Sequence, residues 1–276
     1  MQARFLRVGI STNPYSANML HEAKAFIKYQ VKAKGAQSIR SPFLKELYQE
    51  IILGDPYYYD YDRIESLRAS LLREEREIAI TDFGAGSRVF KSNVRKLKDV
   101  AKHCLGSPKE GHLLFRSINH LKPQTILELG TSLGVNTLYQ SLPNKQASVI
   151  TFEGCPETAK IAQENFKKFS ISPKVVVGNL DEALGEEVEG LSQIDFAFFD
   201  ANHQYEPTVQ YFQTCLEKAG ENSLFIFDDI HWSEGMEKAW EEIKAHPSVS
   251  LSIDIFHLGL VFFKKAVEEE HCVLKF

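Results

Sequence analysis

The chain has 276 residues and a formal net charge of −5, with 43% hydrophobic and 25% charged residues. These values are typical of a soluble globular protein with one large domain, or one domain with a substantial extra piece. The negative net charge gives no general electrostatic reason to bind nucleic acid, although it does not exclude a local basic patch.

Membrane and secretory segments are not expected. No apolar run approaches the ~18 residues that a membrane-spanning helix needs. The first ten residues lack the apolar core of a secretory signal. The four cysteines are scattered without CxxC spacing, which argues against a zinc site or a disulfide framework and fits a reducing compartment. We therefore expect a cytoplasmic protein.

The N-terminal third has helical periodicity. Apolar residues at three- and four-residue steps predict a helix over Tyr15–Lys34, and Ser41 with the following proline predicts the start of a second helix. A further charged helix is predicted over Arg63–Glu77. Between them lies Tyr57–Tyr61, with four tyrosines in five residues. This cluster could line a substrate pocket, but such clusters more often pack a helix against a neighbour or a second subunit.

A first glycine-rich stretch, Asp82–Ser87, follows the short apolar run Ile78–Ile80 and precedes a helical pattern from Phe90 to Cys104. A dinucleotide site would need a second strand after that helix, with an acidic residue about 20 positions on. Instead, Ser107–Glu110 has the pattern of a capping box that begins another helix. We interpret Asp82–Ser87 as a turn that caps a helix, and the alternative is a lid over the active site.

A second glycine-rich stretch, Thr125–Thr137, has the pattern of a buried strand, a tight turn and a helix start. Gly130 and Gly134 bracket three residues. Glycines at such a turn let the backbone approach a ligand closely, and the helix N-terminus offers free N–H groups. The next apolar run ends on Glu153, 23 residues beyond Gly130, where a carboxylate can accept hydrogen bonds from both hydroxyls of a ribose. The alternative role of Glu153 is to complement the dipole of the helix that follows.

The rest of the chain alternates apolar runs with helical segments. Three more strands are predicted at Lys174–Val177, Gln193–Phe199 and Ser223–Phe227. The last two apolar runs, Val249–Phe256 and Gly259–Lys265, have only two residues between them. Because so short a connection cannot be a crossover helix, these runs must form an antiparallel hairpin. We predict an α/β fold with five parallel strands and a C-terminal antiparallel hairpin.

The glycine turn, the acid at Glu153 and the closing hairpin together resemble the class I S-adenosylmethionine-dependent methyltransferases. Within that class, the chain looks most like the catechol-O-methyltransferase-like branch of small-molecule O-methyltransferases. That branch has Leu-Glu-Leu-Gly followed by three residues and a second glycine, as in Ile126–Gly134. It also has aspartates after the fourth and fifth strands, which here are Asp200 and the pair Asp228 and Asp229.

The resemblance covers roughly residues 108–265. It implies a Rossmann-like class I methyltransferase sheet within an S-adenosylmethionine-binding domain over residues 107–276. Residues 1–106 would form an N-terminal helical region, or cap, that shapes substrate access. This helical region could also mediate a homodimer.

The resemblance implies S-adenosyl-L-methionine as the cofactor. Its contacts would be Glu128, Gly130, Thr131, Ser132, Gly134, Glu153, Asn179 and Asp200. Gly134 would support the turn, Glu153 would hold the ribose, and Asn179 would lie beside the adenine. Many relatives have an acid at the last position, although an amide can also bond the adenine edge.

A magnesium ion is a further expectation from the resemblance. In the resembling branch, two acids and an asparagine bind magnesium, which lowers the pKa of the substrate hydroxyl. Asp200, Asp228 and Asp229 could form a similar oxygen site, with an aspartate where catechol methyltransferases have asparagine. The alternative is that one or two of these acids cap helices or contact the amino group of the cofactor.

Two histidines follow the same strand ends. Either His203 or His231 could act as a general base near neutral pH, and His203 is the better candidate. A lone histidine is more often structural. With Asp200, these histidines are the predicted catalytic residues. Tyr205 and Trp232 could supply an aromatic wall for the methyl acceptor.

The leading prediction is an enzyme that methylates a hydroxyl of a small molecule, with no nucleic-acid or membrane partner. A nicotinamide-dependent dehydrogenase is disfavoured because Gly130–Gly134 is not GxGxxG and the terminal hairpin does not fit. A third hypothesis is a non-catalytic cofactor-binding or scaffold protein. Retention of Asp200, His203 and Asp228 argues mildly against it.

Overall fold

The computed structural model describes residues 14–81, 93–263 and 270–276. Its N-terminal part begins with three helices: α1 (Pro14–Lys32), α2 (Pro42–Leu47) and α3 (Tyr59–Leu71), with a π-helical turn at Tyr48–Ile52 after α2. As predicted, Ser41 caps α2, because its hydroxyl accepts a hydrogen bond from the Leu44 N–H at 3.3 Å. The first predicted helix is confirmed within a few residues of its ends, and the predicted start of the second is confirmed. The third helix begins and ends earlier than the predicted Arg63–Glu77.

A small two-stranded sheet follows, which the sequence did not predict. Strand β1 (Glu77–Ala79) pairs antiparallel with β2 (Val94–Lys96), and helix α4 (Leu97–Cys104) begins directly after β2. The helix predicted from Phe90 is therefore wrong at its start, since residues 94–96 satisfy their backbone groups by pairing with β1. The Asp82–Ser87 stretch lies outside the described residues.

The main sheet has eight strands. They are β3 (Thr125–Leu129), β4 (Ser148–Glu153), β5 (Lys174–Val177), β6 (Ile194–Phe199), β7 (Ala219–Phe227), β8 (Leu251–Asp254), β9 (Gly259–Phe262) and β10 (Glu270–Val273). Their spatial order is β10-β8-β9-β7-β6-β3-β4-β5. Strands β3 to β7 run parallel, and β8 and β9 form the predicted antiparallel hairpin beside β7.

Helices cover both faces of this sheet. They are α5 (Pro108–Leu121), α6 (Val135–Ser141), α7 (Pro156–Phe169), α8 (Leu180–Glu189), α9 (Tyr205–Leu216) and α10 (Glu234–Lys244). The predicted capping box begins α5: the Ser107 hydroxyl accepts from the Glu110 N–H, and the Glu110 carboxylate accepts from the Ser107 N–H at 2.7 Å. Strand β3 lies between β4 and β6, so the strand order reverses there. A crevice at such a switch point is where α/β proteins bind ligands.

Strand β10 is an addition to the predicted sheet. It pairs parallel with β8, outside the hairpin. The segment after α1 lies along its far side, where the Lys34 N–H donates to the Val273 carbonyl at 2.9 Å and the Lys275 N–H donates to the Lys34 carbonyl at 3.0 Å. The Tyr29 hydroxyl donates to the Leu274 carbonyl at 2.7 Å. Backbone pairing therefore joins the two ends of the described chain.

The N-terminal helices share a hydrophobic core with one face of the main sheet. Leu44 and Ile64 belong to the same buried cluster as Leu113, Leu138 and Phe196. A second buried cluster occupies the opposite face, where alternate β3 residues such as Leu127 and Leu129 point. The boundary between residues 106 and 107 stays a prediction, but side chains from both sides of it pack together.

The tyrosine cluster is divided between the core and the surface. Tyr61 is buried and stacks on His112, with ring centroids 3.7 Å apart and an interplanar angle of 5°. Tyr57 and Tyr59 are 71% and 73% exposed. Tyr58 and Tyr61 pack α3 against α5, as the structural interpretation expected.

Candidate cofactor and acceptor site

The glycine turn after β3 is held by close backbone approach. Gly130 has φ +107° and Gly134 has φ +79°, backbone conformations that residues with a side chain rarely adopt. A Cβ at Gly130 would collide with the Asp200 carbonyl oxygen. The N–H groups of Gly130 and Thr131 both donate to the Phe152 carbonyl, at 3.1 and 2.9 Å, so the turn is attached to the end of β4.

Glu153 lies at the end of β4, directly beside this turn. Its Oε2 accepts from the Ser132 N–H at 2.7 Å, and its Oε1 accepts from the Cys155 N–H at 2.8 Å. The two backbone donors fix the carboxylate beside the glycine turn. This is the position that the sequence spacing predicted for a ribose-binding acid.

A cavity of about 290 Å³, here called the turn cavity, opens between the glycine turn and the ends of β4, β5 and β6. Five of the predicted cofactor residues line it: Gly130, Ser132, Glu153, Asn179 and Asp200. The side-chain Oδ1 of Asn179 accepts from the Asp181 N–H at 3.1 Å and so caps α8. Its amide NH₂ is therefore the group that suits a ligand acceptor.

Two other predicted cofactor residues lie behind the turn. Glu128 is fully buried, and its carboxyl oxygens accept from the Thr137 hydroxyl at 2.5 Å, the Thr151 hydroxyl at 2.6 Å and the Gln140 amide at 2.5 Å. Thr131 is also buried, and its hydroxyl lies 2.5 Å from that of Thr151. Neither side chain lines the turn cavity. Their hydrogen bonds join β3, β4 and α6 instead.

Gly134 also supports the turn without lining the turn cavity. It precedes α6 as its N-cap residue, and a Cβ there would lie 2.5 Å from Cε1 of Phe166. This close packing of α6 against α7 explains the second glycine, and it agrees with the predicted supporting role.

A second cavity, of about 490 Å³, adjoins the first. We call it the carboxylate cavity because its described lining includes four acids: Glu110, Asp200, Asp228 and Asp229. It also includes His203, with its Nε2 3.4 Å from Oδ1 of Asp200. Ser132 and Asp200 line both cavities, so they form the shared wall.

Sequence reasoning missed part of this lining. Glu110 and Cys104 come from the start of α5 and the end of α4, and His257 comes from the turn between β8 and β9. The short connection between the last two apolar runs was the one available signal for His257, since β9 pairs with β7 and places that connection beside the end of β7. Nothing in the spacing of Cys104 or Glu110 indicated the site.

The crowded acids have shifted proton affinities. Burial raises the pKa of Asp228 well above its ordinary value, and the charges of Asp200 and Asp229 raise it further. Burial also raises the pKa of Asp229, and this shift is partly opposed by His203 and His257. Burial lowers the pKa of His203, but the hydrogen bond and charge of Asp200 outweigh it, so the pKa of His203 is raised overall.

Backbone strain is concentrated around the two cavities. Ser132, Asn202, His203 and Asp229 have φ values of 49°, 66°, 45° and 53°. Positive φ is unfavourable for residues with a side chain and is often kept at functional sites. Here the four residues with positive φ follow strands β3, β6 and β7, at the strand ends that surround the two cavities.

His231 does not reach this site. Its Nδ1 is 2.9 Å from the Glu237 carboxylate, its Nε2 is 3.0 Å from the Asp254 carboxylate, and its ring stacks on Phe256. It lines neither cavity. Because both ring nitrogens are engaged, this position does not support the predicted general-base role. His231 connects α10 to β8.

The predicted aromatic wall is also not formed by the expected side chains. The Tyr205 hydroxyl donates to Glu242 at 2.5 Å on the outer surface, and Trp232 is 37% exposed. Neither residue lines the turn cavity or the carboxylate cavity.

The three aspartates predicted as magnesium ligands share the carboxylate cavity. Their oxygens are the donor type that Mg²⁺ prefers. However, within residues 14–81, 93–263 and 270–276 no three His, Cys, Asp or Glu side chains are arranged to hold a metal ion. The donor type therefore fits magnesium, whereas the arrangement of these side chains does not.

Comparison with known proteins gives one family match. Residues 127–230, which include the glycine turn, Glu153 and the strand-end aspartates, match a family model described as "Methyltransferase domain". No curated protein matches the chain. Among the described helices, none has both the length and the apolar character to cross a membrane.

Solved structures share the fold at low identity. An S-adenosylhomocysteine-bound methyltransferase from Podospora anserina, PaMTH1, has a TM-score of 0.53 and 16% identity over 77% of this chain and 100% of its own. An O-methyltransferase from Bacillus cereus, in complex with S-adenosylhomocysteine, has a TM-score of 0.54 and 19% identity over 75% of this chain and 92% of its own. The O-methyltransferase TomG from Streptomyces achromogenes, in complex with S-adenosylmethionine, has a TM-score of 0.52 and 15% identity over 75% of this chain and 100% of its own.

Proposed function

Because residues 127–230 match the family model described as "Methyltransferase domain", we propose that the protein transfers a methyl group from S-adenosylmethionine to a hydroxyl of a small molecule. The observation that carries this proposal is the Glu153 carboxylate, held by two backbone N–H groups beside the glycine turn. A carboxylate fixed in this way can accept hydrogen bonds from both hydroxyls of a ribose. The neighbours of similar fold were solved with S-adenosylhomocysteine or S-adenosylmethionine, which supports the same cofactor here.

The two adjoining cavities suit a two-substrate transfer. The cofactor would bind in the turn cavity, where its sulfonium supplies an electrophilic methyl group, and the acceptor in the carboxylate cavity. Ser132 and Asp200 lie on the wall between them, so both ligands would meet there. Holding the two in line is the main contribution that a protein makes to such a displacement.

His203 is the residue best placed to take the proton of the acceptor hydroxyl. It lines the carboxylate cavity, and Asp200 lies 3.4 Å from its Nε2. The Asp200 charge would stabilise the imidazolium that forms when the proton arrives. Asp228 and Asp229 line the same cavity and would bind polar groups of the acceptor.

Magnesium at Asp200, Asp228 and Asp229 stays a prediction of the sequence analysis and is not part of this proposal, because the described side chains are not arranged to hold a metal ion. The proton transfer to His203 does not require it. Methyl transfer measured with magnesium and with EDTA tests this point, and an EDTA-insensitive rate would reject a required metal.

Calorimetry tests the cofactor assignment. We expect S-adenosylhomocysteine to bind and NAD not to bind, and a Glu153→Ala variant to bind S-adenosylhomocysteine at least tenfold more weakly because the ribose loses its acceptor. Tight NAD binding without S-adenosylhomocysteine binding would contradict the proposal.

Labelled-methyl transfer to a metabolite extract then tests activity. Cofactor binding without any labelled acceptor would favour the non-catalytic hypothesis.

We further propose that α1 mediates a homodimer. Its Ala25 and Tyr29 face inward, as does Ala33 directly after the helix, whereas Leu20, Ile27 and Val31 are 63%, 65% and 83% exposed. The exposed three lie at seven- and four-residue spacings and so share one helix face. Light scattering tests this proposal: the wild type should be a dimer, and Ile27→Lys should be a monomer that still binds cofactor. A monomeric wild type would reject the dimer without affecting the cofactor assignment.

A further inference from the structure

The turn cavity is partly formed by residues that precede the methyltransferase domain. Ile80, Thr81, Arg95 and Val100 line it together with the glycine turn and Glu153. Ile80 and Thr81 follow β1, Arg95 lies in β2, and Val100 lies in α4. The small sheet and α4 therefore add a wall that the family model over residues 127–230 does not contain.

This wall is attached to the chain just after the proposed ribose-binding acid. The Thr81 N–H donates to Sγ of Cys155 at 3.3 Å, and the Cys155 thiol donates to the Ala79 carbonyl at 3.5 Å. The Cys155 N–H in turn donates to Glu153. The end of β1 is thus held beside the ribose end of the turn cavity.

Strand pairing directs Arg95 toward the protein. In the β1–β2 register Arg95 is opposite Ile78, and residues directly opposite each other point to the same face of a sheet. Ile78 is only 6% exposed, whereas Val94, the neighbour of Arg95 on the other face, is 53% exposed. Among the described residues that line the turn cavity, Arg95 is the one lysine or arginine.

We propose that Arg95 is a cofactor-binding residue that contacts the adenosyl part of S-adenosylmethionine, an inference that rests on the proposed function. A guanidinium group is planar, stacks on aromatic rings and donates several hydrogen bonds in a fixed geometry. A purine presents both a flat face and ring-nitrogen acceptors. The attachment of β1 to Cys155 places the wall at the ribose and adenine end, where Glu153, Gly178 and Asn179 also line the cavity.

Calorimetry with two ligands tests this role. S-adenosylhomocysteine carries the adenosyl and amino-acid parts, whereas 5′-methylthioadenosine carries only the adenosyl part. Arg95→Met should weaken the binding of both ligands by roughly tenfold, within the range expected for loss of a cation–π contact made by a half-buried arginine. Arg95→Lys should weaken both by a smaller factor, because lysine keeps the charge and can still make a cation–π contact but lacks the planar group.

The neighbouring Lys96 gives a matched control. It lies on the same strand, is exposed, and pairs with Glu75 at 2.9 Å. Lys96→Met should leave both affinities unchanged, and thermal melts of all variants should show that they fold. Unchanged binding by Arg95→Met would overturn the inference. Weakened binding of S-adenosylhomocysteine alone would assign Arg95 to the amino-acid carboxylate and overturn the adenosyl contact, whereas wild-type protein that binds neither ligand would reject the proposed function itself.

Discussion

Glu128 is a carboxyl group enclosed between the main sheet and α6, with hydrogen bonds from two hydroxyls and one amide. Burial raises its pKa from 4.5 to about 8. Between these values the folded state retains a proton that the unfolded state has lost. The contribution of Glu128 to the free energy of unfolding therefore falls as the pH rises from about 4.5 to about 8.

We predict that Glu128→Gln flattens this part of the stability profile. Relative to the variant, the wild type should lose on the order of a few kcal/mol of unfolding free energy between pH 5 and pH 8. Urea denaturation at several pH values measures the difference. Parallel profiles for the two proteins would show that the wild-type carboxyl does not retain a proton in the folded state.

The two strand-end histidines should respond differently to the same substitution. His203→Asn removes the proposed proton acceptor and should lower kcat by roughly 10²–10⁴-fold, with little change in cofactor affinity. His231→Asn should retain most of kcat but lower the melting temperature, because the ion pairs with Glu237 and Asp254 are lost. Steady-state kinetics and thermal melts of both variants measure these outcomes. Equal loss of kcat in the two variants would contradict the assignment.

The pH profile of kcat should identify the same group. The pKa of His203 is raised above 6.5, so the imidazole becomes a proton acceptor only at higher pH. The acidic limb of the wild-type profile should therefore lie above pH 6.5 and should disappear in His203→Asn. A limb that persists in this variant would indicate another base.

At the level of elements, the glycine turn constrains three strands at once. Gly130→Ala would push a Cβ against the Asp200 backbone, which cannot move without shifting β6. Gly134→Ala would meet the Phe166 and Ala162 side chains, at 2.5 and 3.1 Å. We expect both variants to lose about 1–4 kcal/mol of unfolding free energy, with the larger loss at Gly130.

A third glycine supplies the control for this comparison. Gly185 lies inside α8, without a positive φ, and a Cβ added there would meet nothing within 4 Å. Gly185→Ala should therefore stabilise the protein by about 0.5–1 kcal/mol through helix propensity. Chemical denaturation of the three variants checks the order, and a stable Gly130→Ala protein would contradict the close approach seen at the turn.

The elements that the sequence predicted are those with a strong local pattern. Apolar runs specified β3 to β9, and the short connection between the last two runs specified the hairpin. The pairs β1 with β2 and β10 with β8 depend on partners distant in sequence, and residues 94–96 even continue a helical pattern. The site followed the same rule. Glu153 and Asp200 were proposed from strand ends, and His203 was preferred to His231, but the sequence could not show that Glu237 and Asp254 engage both ring nitrogens of His231.

At the scale of the whole molecule, Leu274 joins the two ends of the described chain. It is 1% exposed, its N–H donates to the Asp254 carbonyl, and its carbonyl accepts from the Tyr29 hydroxyl. Leu274→Ala should cost about 2–4 kcal/mol of unfolding free energy. The exposed neighbour Lys275 is the control, since Lys275→Ala should change stability by less than about 0.5 kcal/mol.

Hydrogen exchange would show which elements lose stability in the Leu274→Ala variant. In Leu274→Ala we expect the amides of α1 to lose protection before those of β3 and β6, because the end of the chain contacts α1 directly through Tyr29. Uniform loss of protection across the sheet would instead show that α1 and the sheet unfold as one unit.

The pairing of β10 with β8 also has a consequence for synthesis on the ribosome. Helix α1 is translated more than 200 residues before β10, yet its inward face packs against Phe256 and Val273. During most of translation that face has no partner. At a synthesis rate of roughly 5–20 residues per second, the delay between α1 and β10 is tens of seconds when translation is slow. The exposed apolar α1 would therefore be a natural binding site for chaperones on the nascent chain, until the last strand emerges and completes the sheet.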